Sequence, residues 1–184
     1  APHLGRSALD ACELMNVGVN YMREHMPDSA RIHYAYLDVG GTAPNVVQAT
    51  STVRQLIRAS DNTTLRDLVA RVNDIAKGAA LMTGTTMEAK FYSGVSNLVG
   101  NAPLEQAMQV EFDKLGPVMF DNEDAAFADE IRKTLTADDI AASFQRAGRE
   151  TPPDLPLCDF VAPLERPSIG GEGSTDVGDV SWVT

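Results

Sequence analysis

The sequence predicts an α+β fold in two parts: a ferredoxin-like βαββαβ domain lacking its first strand over residues 1–98, and a more helical part over residues 99–184. Three observations carry this reading. Apolar spacing in the first part runs in the order helix, strand, strand, helix, strand. The charge is unevenly split. The first hundred residues hold nine acidic and nine basic side chains, whereas residues 101–184 hold seventeen against six, so all of the net charge of −11 lies in the second part. Past residue 100 the strand patterns give way to capped helices and a proline-rich connection.

Residues 7–26 place Ala8, Ala11, Cys12, Met15, Val19, Met22 and Met26 at helical spacing, and Pro27 stops that helix. Residues 31–38 alternate, with Ile32, Tyr34 and Tyr36 facing one way and Arg31, His33, Ala35 and Leu37 the other, which predicts a strand. The turn Gly40-Gly41-Thr42-Ala43-Pro44 leads to a second strand over 46–58, rich in Val, Thr and Ile. Thr64 and Asp67 read as a capping box for a helix over about 64–82, with a stripe of Leu65, Leu68, Val69, Val72, Ala76 and Ala79. Residues 85–93, with Met87, Ala89 and Phe91 on one side, predict a third strand.

One further strand preceding this order gives βαββαβ, in which that first strand lies mid-sheet. Without it, its two neighbours keep unpaired backbone groups, each costing on the order of 1–3 kcal/mol if buried. A domain of this size has little stability to spare, so the 184 residues are expected to belong to a longer polypeptide.

In the second part, Asn101 is the predicted cap of a helix carrying Leu104, Met108, Phe112 and Leu115 that ends at Gly116-Pro117. Asn122 is the predicted cap of another running to about Leu135, and Thr136 with Asp139 opens a third that ends near Gly148. Residues 149–169 carry five prolines, and Gly170–Asp176 forms a glycine-rich bend before Val177–Thr184.

Composition narrows the chemistry. The chain is 43% hydrophobic and 22% charged, an ordinary globular balance that excludes wholesale disorder. No apolar run approaches a membrane span, and the acidic second part lacks the basic stripe that meets nucleic-acid phosphates. Cys12 and Cys158 have no ligand-like spacing and fit a reducing, cytoplasmic setting. His3, His25 and His33 are scattered, and Glu172, Asp176 and Asp179 form no defined cation loop, so no metal site is predicted within these residues. Gly171-Glu172-Gly173 lacks the strand and spacing of a nucleotide motif, and Ser174 lacks a nucleophile-elbow frame.

Asn45 and Arg58 remain. Each has an ordinary structural reading, Asn45 as a turn former and Arg58 as a surface ion-pair residue. Each also suits carboxylate recognition, since the guanidinium fork binds a carboxylate through two parallel hydrogen bonds. The two stand thirteen positions apart, well separated on an extended strand, so both reach one ligand only if the turn folds back or a second subunit closes over it.

The stretch Gly40-Gly41-Thr42-Ala43-Pro44-Asn45-Val46-Val47, followed by Leu56-Ile57-Arg58, resembles the lid, or dimerisation, domain of the aminoacylase/carboxypeptidase G family of two-metal peptidases and amidohydrolases. Residues 1–11 are similar to the start of that domain's first helix, and Gly173-Ser174-Thr175-Asp176 is similar to a bend in the family's catalytic domain. The likeness extends over nearly all 184 residues. It implies a lid domain over 1–98 and the C-terminal part of an α/β catalytic domain of zinc-peptidase type over 99–184, both incomplete. It further implies that Asn45 and Arg58 bind the substrate carboxylate across a homodimer, and that Gly173, Ser174 and Thr175 line the substrate pocket. The implied reaction is hydrolysis of the amide bond of an N-acyl amino acid, with p-aminobenzoyl-glutamate giving p-aminobenzoate and glutamate as the expected case. Two divalent ions, zinc or manganese, are implied for the intact enzyme. Their ligands, and the histidine that the lid lends its partner, fall outside this stretch, so the segment alone is expected to be inactive. The rival expectation is a non-catalytic ferredoxin-like interaction or sensor module with an acidic C-terminal segment.

Overall fold

A computed structural model describes residues 1–148, 156–165 and 174–184. The chain is α+β, with a two-stranded antiparallel sheet and six α-helices among the described residues. It divides into two compact units, Ala1–Asn97 and Leu98–Thr184.

In the first unit, helix α1 (Ala8–Met22) starts where the Ser7 hydroxyl accepts the Asp10 N–H at 3.1 Å. The predicted helix to residue 26 is shortened. Its last turn tightens into a 3-10 turn at Arg23–His25 ahead of Pro27, a common way for a helix to use its final carbonyls. Strand β1 (Arg31–Asp38) matches the alternation read from the sequence, and it pairs with β2 (Thr52–Arg58).

The second strand begins at Thr52 and not at residue 46. The ladder loses register between Tyr36 and Asp38. Gly40 then turns at φ +76, where a Cβ would come within 2.5 Å of the Thr50 carbonyl oxygen. Residues 46–51 are engaged elsewhere: the Gln48 carbonyl accepts the Ala8 N–H at 2.9 Å, and its side chain accepts the Ser7 hydroxyl at 3.1 Å. The loop therefore anchors the N-terminus of α1 instead of extending the sheet.

Helix α2 (Asn62–Thr83) is capped by Asp61, whose carboxylate accepts the Thr64 N–H and hydroxyl, both at 2.8 Å, so the cap lies three residues ahead of the predicted Thr64. Gly84, at φ +64, closes it. The two helices lie on one face of the sheet. Gly18 lets them meet closely, since a Cβ there would stand 2.7 Å from Ile75 Cγ2. Val19, Met22, Ala30, Ile32, Leu68 and Val72 form the core, flanked by Met15, Met26, Ile57, Ala59 and Ile75. Full burial of Val19, Ile32 and Leu68 contributes roughly 1.5–3 kcal/mol each.

A polar chain crosses the edge of this core. Buried Asn16 donates to the Tyr36 hydroxyl at 3.2 Å and accepts from the Gln55 amide at 3.0 Å. Burial, with Glu13 adding to it, pushes the Tyr36 hydroxyl pKa up.

Residues 85–93, predicted as a third strand, form none. A strand exists through its ladder, and among the described residues nothing pairs with this segment.

The second unit holds α3 (Ala102–Leu115), α4 (Asn122–Arg132), α5 (Ala137–Arg146) and α6 (Val177–Ser181). Asn101 and Thr136 cap α3 and α5 as predicted, Thr136 in a reciprocal capping box with Asp139. The cap of α4 is Asp121 and not Asn122, because the Asp121 carboxylate reaches the N–H groups of Glu123 and Asp124. Phe144 stacks on Phe160 with ring centroids 6.4 Å apart. None of α3, α4 or α5 buries a side chain, and Leu104, Met108, Phe112 and Leu115 stand exposed along α3.

Candidate functional site: a cationic sheet face and an asparagine turn

Alternation along β1 and β2 gives the sheet two unlike faces. Ile32, Tyr34 and Tyr36 with Ile57, Gln55 and Val53 occupy the helix-covered face. Arg31, His33 and Ala35 with Arg58, Leu56 and Arg54 occupy the other. That second face is open: Leu56 is 56% exposed, and Arg31, His33 and Arg54 are exposed as well. Arg54 lies over the Tyr92 ring at 4.9 Å and Lys90 over the same ring at 5.4 Å, a contact that favours cations. The open face thus gathers positive charge within a unit that carries no net charge in its first hundred residues.

Arg58 is half-buried at the end of β2, directly opposite Arg31 in the register. Core residues on both sides of it hold the backbone in place, since Ile57 and Ala59 pack against the buried cluster. Asn45 is exposed in the turn after Pro44, closed by the Val46 N–H donating to the Ala43 carbonyl at 3.2 Å. The turn lies at one end of the β1–β2 hairpin and Arg58 at the other. The seven residues of β2 alone span about 20 Å. Within one chain the structure therefore does not bring Asn45 and Arg58 together.

Ser174 and Thr175 belong to the second unit, both exposed. The Thr175 hydroxyl accepts the Val177 N–H at 3.3 Å, and its carbonyl accepts the Gly178 N–H at 3.1 Å, which fixes the bend into α6. Gly173 lies outside the described residues, as do residues 166–172 and 149–155. No group of three or more His, Cys, Asp or Glu side chains among the described residues is arranged to hold a metal ion. Cys12 is half-buried and Cys158 exposed, both as free thiols. No helix of the described residues is long and apolar enough to cross a membrane.

Arg31 was not singled out by the sequence reading. Its facing of Arg58 depends on the pairing register, which alternation alone does not fix.

No protein-family model matches the chain. Comparison with curated proteins finds 43% identity over 99% of the chain to a p-aminobenzoyl-glutamate hydrolase subunit of Escherichia coli, of which the aligned part is 40%. The Xaa-Arg dipeptidases of Mus musculus and Homo sapiens are each 30% identical over 67% of the chain, matching 28% of their own length. The chain thus spans well under half of the relatives it matches. These are hydrolases by name, and the resemblance read from the sequence stands.

Proposed function

Because the chain is a homologue of a p-aminobenzoyl-glutamate hydrolase subunit, within the peptidase family that also includes the Xaa-Arg dipeptidases, we propose that it is a segment of an amidohydrolase. The bond cleaved is the amide of an N-acyl amino acid, with p-aminobenzoyl-glutamate as substrate. The observation that carries this is the identity of 43% across 99% of the chain.

The segment's own contribution is binding and assembly. Arg58, held at a fixed register position on the open sheet face, grips the substrate carboxylate as a fork. Asn45 reaches a substrate in the other subunit of a homodimer, a reading supported by its separation from Arg58 within one chain. The homodimer forms through the first unit, which serves as the lid, and an uncovered strand edge is a ready pairing surface. A ferredoxin-like sheet is completed by a strand from elsewhere in the polypeptide, set between β2 and residues 85–93. This accounts for the absence of a ladder in that segment. The bend at Gly173, Ser174 and Thr175 lines the pocket.

The described residues do not fit a two-metal centre, since they offer no cluster of ligands. The zinc or manganese ions that the resemblance implies for the intact enzyme are assigned, on that resemblance, to residues outside this stretch. What the present residues supply is orientation: a fixed guanidinium that holds the acyl amino acid by its carboxylate, so that binding energy positions the scissile amide.

The test uses the full-length protein. Metal analysis and an amidase assay on p-aminobenzoyl-glutamate should show bound divalent metal and release of p-aminobenzoate. Absence of both would favour a non-catalytic module. Arg58→Ala should lower kcat/KM by about 10- to 100-fold, the loss typical of one charge-assisted hydrogen-bonding partner, and unchanged kinetics would remove the grip assignment.

A further inference from the structure

The turn that carries Asn45 does not hold itself in place. The chain leaves the sheet at Gly40, whose N–H donates to the Asp38 carboxylate at 2.8 Å, and returns at Ser51, whose hydroxyl donates to the Asp38 carbonyl at 2.9 Å. An asparagine that builds its own turn bonds the backbone two residues on. Asn45 does not: among the described residues its exposed side chain makes no hydrogen bond to the chain. The amide is left with a carbonyl and two N–H groups for a ligand. What fixes the turn is Gln48, three residues later. Its backbone carbonyl accepts the Ala8 N–H at 2.9 Å, one of the donors that the start of a helix leaves over. Its side-chain oxygen accepts the Ser7 hydroxyl at 3.1 Å, and the same hydroxyl accepts the Asp10 N–H at 3.1 Å. Ser7 thus gives its proton to Gln48 while a lone pair caps α1.

Packing closes on Gln48 and its neighbour from the other sides. Gly40 lies so near that a Cβ there would stand 2.6 Å from Gln48 Cβ, and a Cβ on Gly5 would meet Val47 Cγ1 at 3.0 Å. Helix α1 in turn is rooted in the core through Val19 and Met22. Residues 41–47 are all exposed and lack regular structure, so the body that orients Asn45 is α1, reached through Gln48. A binding group on a loop is only as well placed as the scaffold that supports it. We propose that Gln48 is a positioning residue, which holds the turn on the N-terminus of α1 so that the Asn45 amide is presented to substrate. This rests on the reading of Asn45 as a substrate-binding residue. Without its side-chain bond Gln48 keeps one backbone anchor, at Ala8, and loses the second point that stops the turn pivoting about it.

The test is a double-mutant cycle in full-length enzyme carrying its metal, assayed on p-aminobenzoyl-glutamate as wild type, Gln48→Met, Asn45→Ala and the double variant. Gln48→Met keeps the length of the side chain and removes the oxygen that Ser7 bonds. It should lower kcat/KM by about 3- to 10-fold, the range of one neutral hydrogen bond, and the loss should lie in KM, as for Asn45→Ala. The double variant should fall within about 2-fold of Asn45→Ala alone, because a residue acting through Asn45 has nothing left to position. Gln48→Glu restores an acceptor for the Ser7 hydroxyl and should return kcat/KM to within about 2-fold of wild type. Losses that multiply in the double variant overturn the proposal, as does a Gln48→Glu variant no better than Gln48→Met. If Gln48→Met does not fold, Gln48→Ala takes its place in the cycle and is read by the same outcomes. The two readings fail separately. A loss in Asn45→Ala with none in Gln48→Met retains Asn45 and removes Gln48, whereas unchanged kinetics in Asn45→Ala removes both.

Discussion

At the scale of single residues, position on the pleat determines what Arg58 can do. One residue to either side, at Ile57 or Ala59, the backbone faces the core, so the guanidinium stands on the open face through the same alternation that anchors its neighbours. That makes Arg58→Ala a test of binding, and kinetics with thermal melts on the same variant separate a loss of binding from a cost to the fold. Asp61 offers a residue-scale test of a different kind. Hydrogen bonds from the Thr64 backbone, then from its hydroxyl, hold the Asp61 carboxyl below its ordinary pKa. A carboxyl depressed in the folded state stabilises above its unfolded pKa, and the contribution is lost as pH falls through the folded value. Asp61→Asn keeps a capping side chain but cannot titrate. Melting curves should show the wild type ahead of the variant at neutral pH and the gap closing as pH falls below the usual carboxylate range. Asp61 is solvent-exposed, so the effect is small; a gap independent of pH would show that its charge is not linked to folding.

At the scale of elements, α2 is the most committed piece of the first unit. Leu68 is fully buried where α2 meets the sheet and α1, and it shares the core with Val19 and Ile32. Leu68→Ala should cost about 2–5 kcal/mol by removing apolar contacts and leaving a cavity, and denaturant unfolding of the folded protein would measure it. A loss below about 1 kcal/mol would mean that the site collapses around the deletion or lies off the core. The Asn16–Tyr36–Gln55 chain works in the opposite sense: it ties α1 to both strands through polar bonds that an apolar replacement at Asn16 would leave unpaired.

At the scale of the whole molecule, the two units differ in how much apolar surface they cover. The first has a buried core, whereas α3, α4 and α5 bury no side chain, and Leu115 is 80% exposed. Apolar stripes of this kind belong against other structure, and the relatives are more than twice as long as the matched region. The 184-residue polypeptide on its own should bind an apolar-surface dye such as ANS strongly and show no amidase activity, while the full-length protein binds little dye and hydrolyses substrate. Equal dye binding by both would mean that the α3 stripe stays uncovered in the longer protein.

The sequence by itself determined the elements whose signals are local. The β1 strand could be read to its ends because its alternation is strict. The caps at Asn101 and Thr136 were legible because a capping side chain acts within three residues. The family likeness was legible in the Asn45 turn and in Leu56-Ile57-Arg58. Tertiary structure decided what depends on partners distant in sequence. Residues 46–51 left the strand because Gln48 bonds to Ser7 and Ala8, and residues 85–93 form no strand because nothing described pairs with them. Arg31 came to face Arg58 through the register of a ladder that joins residues 27 apart. Alternation says which face a side chain takes, but only the pairing says which side chain stands opposite it.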